Sequence, residues 1–185
     1  MKKQNLSLEL RLSNALFSLL NNKSFEQIKI CDITHVAKVA RTTFYLCFNN
    51  KNELLRFSWN RYMIPFVDGL RNSFTLDQKE NIAKTTVALE KISKQIKYVP
   101  LLLNIKKASF DPRKEIENNV KHEIKNILQG QRVNGIILDY FSNLYFVNLL
   151  ETQKWWAKHP TITPEKIAEL IYCSCYQGLI SLLKT

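Results

Sequence analysis

Residues 28–55, IKICDITHVAKVARTTFYLCFNNKNELL, have the apolar spacing of short packed helices but a polar centre. Apolar residues that can form a small core recur at helical intervals, namely Ile33, Val36, Val39, Phe44 and Phe48. Such a core has no use for Arg41, Thr42 and Thr43, which stand in the middle of the stretch. We therefore expect these three side chains to face something other than the interior of the protein.

Helical patterns continue on both sides of this stretch and predict an all-α fold of about nine helices. A first helix with one apolar stripe precedes it over residues 8–20. Asn50, with Glu53 three residues later, is a capping pattern that starts a long fourth helix ending near Arg71. Similar start signals stand at residues 77–80, 111–112 and 163–164, and residues 133–156 are apolar on most sides, which predicts a helix with several neighbours.

The charge of the chain is positive and unevenly spread. The 185 residues have a formal net charge of +11, with 27 Lys and Arg against 16 Asp and Glu. Residues 1–56 carry 9 of the basic residues and only 4 of the acidic ones. A basic N-terminal third favours an anionic partner, either nucleic acid or a membrane surface. A merely solubilising surface would also explain the charge.

Three short helices with a tight second-to-third connection predict a helix-turn-helix. In that motif the later helix places its N-terminal residues in the major groove of DNA. Arg41, Thr42 and Thr43 would stand at the start of that helix. Arginine can hydrogen-bond a guanine edge, and threonine can contact phosphates or thymine methyl groups. The predicted partner is therefore double-stranded DNA.

Residues 28–55 resemble the DNA-binding motif of the TetR/AcrR (tetracycline-repressor) family of bacterial transcriptional regulators. They follow its pattern without a gap: apolar-x-apolar-x-Asp-Ile, then Ala37, Val39, a short polar stretch, Phe44, Tyr45, Phe48, Lys51 and Leu54. Three positions depart from the pattern. Lys38 replaces the usual turn glycine, Ala40 replaces a Ser or Thr N-cap, and Cys47 replaces a common His. A left-handed Lys38 and a missing cap would each cost about 1 kcal/mol.

The resemblance implies specific DNA contacts and a division of the chain. The implied contact residues are Lys29, Ala40, Arg41, Thr42, Thr43, Tyr45 and Lys51. Lys29, Tyr45 and Lys51 occupy positions that contact phosphates in the family, although Tyr45 could instead be an ordinary core aromatic. Residues 1–50 would form the helix-turn-helix domain and residues 51–185 an effector-binding and dimerisation domain, with helix 51–71 linking the two.

The resemblance also implies a small-molecule pocket and a homodimer in the C-terminal domain. Seven aromatic residues and one methionine are suited to an apolar or aromatic effector, namely Tyr62, Met63, Phe66, Tyr98, Phe110, Tyr140, Phe141 and Tyr145. The last two helices are the candidates for the dimer interface, through Leu144, Val147, Ile167, Ile171, Ser174 and Gly178. Both sets would also fit ordinary intrachain core. A two-fold dimer implies a palindromic operator.

No pattern in the sequence predicts an enzyme, a cofactor or a metal site. It has no Gly-rich phosphate loop, nucleophile elbow or His-Glu-x-x-His motif, and its three histidines are scattered. Cys173 and Cys175 are two residues apart on a predicted helix, so they cannot grip one metal together. No apolar run is long enough to span a membrane. The four cysteines lack a disulfide framework, which predicts a cytoplasmic protein with free thiols.

The sequence thus predicts a cytoplasmic, dimeric, TetR-type repressor whose operator affinity falls when a small molecule binds. One alternative is a DNA-binding protein of the same fold without such an effector, acting through a protein partner or a thiol redox switch at Cys47. Another is membrane-surface binding by the basic N-terminal helix. Its charges fall irregularly and its leucines are needed for the local core, which argues against that role.

Overall fold

The structure, a computed structural model, describes residues 2–73, 75, 77–94, 96–105, 110–127 and 134–177. Over these residues the chain forms nine α-helices and no β-strand, which confirms the all-α prediction. They are α1 (Lys2–Leu20), α2 (Ile30–Ala37), α3 (Arg41–Tyr45), α4 (Lys51–Ser73), α5 (Gln78–Ser93), α6 (Val99–Leu103), α7 (Pro112–Ile127), α8 (Gly135–Lys158) and α9 (Pro164–Ile171). A 3₁₀ turn (Ile96–Tyr98) precedes α6, and a π turn (Tyr172–Tyr176) follows α9.

The longer helices begin where the sequence places side-chain caps. The Asn50 Oδ1 atom accepts hydrogen bonds from the backbone N–H groups of Asn52 and Glu53, both at 3.0 Å. Asp77 caps α5 in the same way, and Thr163 caps α9. Each cap satisfies N–H groups that the helix itself cannot bond, which stabilises the helix by about 1 kcal/mol.

The chain divides into two compact units. The N-terminal unit comprises Met1–Arg61 and Leu101–Asp111, and the C-terminal unit comprises Tyr62–Pro100 and Pro112–Thr185. Helix α4 contributes residues to both units. The functional division after residue 50 stays a prediction.

The core of the N-terminal unit packs α1, α2, α3 and the start of α4 around large apolar side chains. The most completely buried are Leu12, Leu16, Phe25, Ile28, Ile33, Phe44, Leu54, Leu55 and Trp59. The prediction that Val36 joins this core is wrong, because its side chain is exposed. The inward face of α2 consists of Ile33, Thr34 and Ala37, and the helical repeat turns Val36 away from it.

In the C-terminal unit, α4 and α5 approach closely at a glycine. A Cβ atom on Gly69 would lie only 2.5 Å from the Cβ atom of Ala88, so no larger residue fits without moving a helix. Further along α4, Arg71 holds the buried Glu123 of α7 through two hydrogen bonds, of 3.0 and 2.6 Å. This arginine lowers the pKa of the Glu123 carboxyl, so the pair is charged at neutral pH.

Candidate nucleic-acid interface

The start of α3 presents polar side chains over a fixed apolar anchor. Ala40 has an extended backbone and caps α3 without a side-chain hydrogen bond. Arg41 and Thr42 follow as exposed residues, and Thr43 is half-buried. Phe44 is completely buried and holds this short helix on the core. The predicted contact residues of α3 therefore stand outside the core, as their position relative to Phe44 requires.

Arg41 and Tyr45 lie one turn apart on α3 and contact each other. The Arg41 Nη2 atom donates a hydrogen bond of 3.2 Å to the Tyr45 hydroxyl, which raises the pKa of Arg41. The guanidinium carbon also lies 5.8 Å from the centroid of the Tyr45 ring. The Tyr45 side chain is 46% exposed, so it is not the ordinary core aromatic that the sequence left open. The pair forms one donor-rich patch at the surface.

Leu46, which the sequence analysis did not single out, extends this patch. It directly follows Tyr45 and is 76% exposed, the highest exposure of any described large apolar residue in the N-terminal unit. An apolar side chain at such a position can contact thymine methyl groups. The sequence gives only a weak signal for this residue. The signal is that Leu46 does not share the inward helix face of Phe44 and Phe48.

The two lysines predicted to contact phosphates have different surroundings. Lys29 is the exposed N-cap residue of α2, and its backbone N–H donates to the Asp32 carboxylate at 2.9 Å. Lys51 is half-buried, and its ammonium group donates to the backbone carbonyls of Phe25, Glu26 and Ile28 at 2.7, 3.1 and 2.7 Å. The charge of Lys51 is thus directed into the protein's own loop.

The turn between α2 and α3 contains a left-handed lysine. Lys38 has φ 53° and ψ 50°, the left-handed conformation that costs a residue other than glycine about 1 kcal/mol. Its carbonyl and that of Ala37 accept hydrogen bonds of 3.2 and 2.8 Å from the Arg11 guanidinium of α1. Arg11 therefore stabilises the end of α2, where backbone carbonyls lack helical partners.

The predicted effector residues do not gather around one large pocket. Phe66 and Tyr145 line a small apolar cavity of about 20 Å³, together with Gly69, Ser73, Thr85, Ala88, Leu89, Ile92, Leu149 and Ile171. A volume of this size holds about one water molecule, whereas ligand pockets usually measure about 300–1,000 Å³. A ligand of that size would fit this cavity only if it enlarged.

The remaining effector candidates lie elsewhere. Met63 is buried, Tyr98 and Phe141 are half-buried, and Tyr140 is 62% exposed. Phe110 belongs to the N-terminal unit, where its ring packs edge-on against Trp59 at 5.8 Å and lies 4.8 Å from the Arg56 guanidinium. The side chain of Tyr62 is outside the described residues.

The predicted dimer residues separate into buried and exposed ones. Ile167 and Ile171 are buried within the chain itself, whereas Leu144, Val147 and Ser174 are exposed. The Ser174 hydroxyl donates to the Asn148 side chain at 3.0 Å, so the exposed residues of the π turn and of α8 adjoin. The helical repeat extends the exposed group along α8, and we define the α8 stripe as Ile136, Tyr140, Leu144, Val147 and Trp155. Gly178 lies outside the described residues.

The four thiols differ in exposure and chemistry. Cys31 and Cys173 are exposed, Cys47 is half-buried and Cys175 is buried. Burial, followed by the nearby Glu9 carboxylate, raises the pKa of the Cys47 thiol. Burial raises the pKa of Cys175 to about 12. Because the thiolate is the reactive form, both groups are less reactive than an ordinary cysteine.

Within the described part of the chain, no three His, Cys, Asp or Glu side chains are close enough to hold a metal ion. None of the described helices is long and apolar enough to cross a bilayer.

Comparison with known proteins relates this fold to a solved structure. No protein-family model matches the sequence, and no curated protein is similar to it at a significant level. Among solved structures, a TetR-family transcriptional regulator from Bordetella parapertussis 12822 superposes with a TM-score of 0.63. The match covers 95% of this chain and 93% of that one at 13% sequence identity. The chain therefore has the fold of that regulator.

Proposed function

We propose that this chain, which has the fold of a TetR-family regulator, is a dimeric, sequence-specific DNA-binding regulator of transcription. The observation that carries the proposal is the exposed face of α3 and of the residue after it, where Arg41, Thr42, Tyr45 and Leu46 lie outside the buried Phe44. This arrangement offers guanidinium and hydroxyl donors for bases and phosphates, and an apolar group for thymine.

The charges around α2 and α3 support a polyanionic partner. Lys29, Lys38 and Arg41 are exposed cations on these two helices and their connecting turn. Asp32 is the one acidic residue in α2 and α3, and it accepts a hydrogen bond from the Lys29 backbone and lies 3.8 Å from the Lys23 ammonium. The formal charge of α2, α3 and their turn is therefore positive, which favours DNA and makes binding sensitive to salt.

The α8 stripe supports association with a second copy of the chain. Its five members are large apolar or aromatic side chains that the chain's own core leaves exposed. A single helix-turn-helix makes few base contacts, and a two-fold dimer places two of them on successive turns of a palindromic operator.

We further propose that the protein is a cytoplasmic repressor, released when an apolar or aromatic effector enlarges the cavity lined by Phe66 and Tyr145. Such a ligand would favour one arrangement of the helices and lower operator affinity accordingly. A second candidate is a regulator of the same fold without a small-molecule effector, acting through a protein partner, because the cavity of about 20 Å³ is too small for such a ligand unless it enlarges. The raised pKa of Cys47 argues against a thiol redox switch there.

The proposed function is tested by binding of the purified protein to the DNA upstream of its own gene. Random DNA of equal length is the reference, and each titration is repeated across a salt series. We expect tight binding to one duplex that weakens steeply with salt. Arg41→Ala should weaken specific binding by about 10- to 100-fold, the value of one good base contact.

Lys94→Ala is the matched control for this experiment. It also removes one exposed cation, but from the end of α5 in the C-terminal unit, so we expect binding to remain unchanged. If upstream and random DNA bind equally, duplexes selected from genomic fragments replace the upstream DNA. A wild-type protein that prefers no duplex over random DNA, even at low salt, contradicts the proposed function.

A further inference from the structure

The ammonium group of Lys51 is fully occupied by its own N-terminal unit. It has three N–H donors, and three backbone carbonyls accept from it, those of Phe25, Glu26 and Ile28. The nitrogen also lies 4.7 Å from the centroid of the Phe25 ring, within the range of a cation–π interaction. A tetrahedral ammonium group suits three converging carbonyls better than a planar guanidinium does.

The carbonyls that accept from Lys51 belong to the turn that leads into α2. Phe25 and Ile28 are almost completely buried, so the backbone between them is anchored at both sides. Lys51 is the first residue of α4. Its side chain therefore joins the start of α4 to the entry of α2, and reaching a phosphate would leave three carbonyls without this partner.

The other end of α2 is held in the same manner. Arg11 of α1 donates to the carbonyls of Ala37 and Lys38, next to the left-handed residue of the turn. Both ends of α2 are thus fixed by cations of the flanking helices. The exposed Lys29, in contrast, extends from the N-cap of α2 at the surface.

We propose that Lys51 is a positioning residue for DNA recognition rather than a phosphate ligand: it fixes the entry of α2 on α4 and so holds α3 in its presenting orientation. This inference rests on the proposed function. It assigns the positive charge of Lys51 to the protein's own backbone, and it predicts that this charge does not contribute to the salt dependence of DNA binding.

The salt dependence of operator affinity separates the two roles. Each phosphate contact that is lost reduces the slope of log K against log salt by about 0.9. We expect Lys51→Met to weaken binding by roughly tenfold with an unchanged slope. Lys51→Arg should behave similarly, because it keeps the charge but not the tetrahedral geometry. The control Lys29→Met should reduce the slope by about one.

A purely structural role is excluded by measuring binding where the variants are fully folded. Circular dichroism at the binding temperature establishes the folded fraction, and titration of a selected 30-base-pair duplex then gives the affinity of folded molecules. Unchanged affinity in a fully folded Lys51→Met overturns the positioning role. A slope reduced by about one, together with wild-type affinity in Lys51→Arg, overturns it in favour of a phosphate contact.

Hydrogen exchange without DNA keeps this inference distinct from the proposed function. Backbone amides of residues 25–33 should exchange faster in Lys51→Met and Lys51→Arg than in wild type. In Lys29→Met their exchange rates should equal those of wild type. If the wild-type protein selects no duplex, the proposed function fails, while this measurement still reports on the entry of α2. Unchanged exchange at residues 25–33 in both Lys51 variants overturns the inference. If Lys51→Met does not fold, DNA binding and hydrogen exchange are both measured on Lys51→Arg.

Discussion

The α3 surface and the α8 stripe both consist of side chains that are exposed rather than packed in the chain's own core, but their chemistry differs. At α3 the exposed groups are a guanidinium, hydroxyls and one leucine, and three exposed cations stand on α2, α3 and their turn. In the α8 stripe the exposed groups are aliphatic and aromatic, with the exposed Glu151 at the same helical spacing between Val147 and Trp155, and at the stripe's centre Leu144 is 47% exposed. The first surface offers hydrogen-bond donors and positive charge, and the second offers mainly area.

This difference indicates different partners. Burying Arg41 against an apolar surface would remove water from a charge without replacing its hydrogen bonds, which is unfavourable. Burying the α8 stripe against another apolar surface removes hydrocarbon from water, which is favourable in proportion to the area. A polyanion suits the first surface and a second copy of the chain suits the second.

The largest expected effect comes from a charge in the middle of the α8 stripe. Leu144→Glu would bury two carboxylates at a two-fold interface, so we expect a monomer by sedimentation velocity. Operator affinity should fall on the order of 100-fold, because the two helix-turn-helix units would no longer bind together.

Ile64→Glu is the control for that substitution, since Ile64 is an exposed apolar residue on α4 and outside the stripe. We expect it to leave both mass and affinity unchanged. A Leu144→Glu protein that remains dimeric would assign the stripe to another partner and remove the contrast between the two surfaces.

One reagent can examine both surfaces through their thiols. Cys31, on the first turn of α2, interacts electrostatically with Arg41. Cys173 precedes Ser174, whose hydroxyl donates to Asn148 of α8, the neighbour of Val147 in the stripe. We expect a maleimide to modify these two exposed thiols at pH 7.5 and to leave Cys175, with its pKa of about 12, unmodified.

Protection should then separate the two surfaces. Operator DNA should slow modification of Cys31 by about tenfold and leave Cys173 unaffected, whereas Leu144→Glu should speed modification of Cys173 alone. Peptide mass spectrometry measures each site. DNA that protects Cys173 and not Cys31 would reverse the assignment of the two surfaces.

The helix-turn-helix could be predicted from sequence because its constraints are local. Caps such as Asn50 and the periodic burial of Ile33 and Phe44 follow from neighbouring residues and the helical repeat. Even the left-handed backbone of Lys38 was indicated by its place in the motif. The contacts of the Lys51 side chain could not be predicted in this way, because the three carbonyls that accept from it lie more than 20 residues earlier in the chain.

The C-terminal candidates could not be sorted from sequence, because α8 is apolar on most sides. Leu144 and Leu149 are both leucines of α8, yet Leu144 is exposed whereas Leu149 is buried and lines the small cavity. Periodicity gives the spacing of apolar residues but not which face meets the chain's own core. Phe110 and Tyr145 similarly belong to different compact units, which a list of aromatic residues does not reveal.

The smallest expected effect concerns the turn on which the α3 surface depends. Lys38→Gly should raise the free energy of unfolding by about 1 kcal/mol, because glycine adopts φ 53° without the steric cost of a Cβ atom. The bonds from Arg11 reach backbone carbonyls, so the substitution leaves their acceptors in place. Urea unfolding, extrapolated to water, measures the change.

Lys94→Gly is the matched control, since Lys94 caps the end of α5 with a right-handed backbone, at φ −64°. There glycine gains no steric relief and adds freedom to the unfolded chain, so stability should fall by about 0.5–1 kcal/mol. The two substitutions remove the same side chain, and opposite signs isolate the backbone of the turn as the cause. A loss of stability in both variants would mean that the left-handed backbone of Lys38 carries no strain, as in a regular helix.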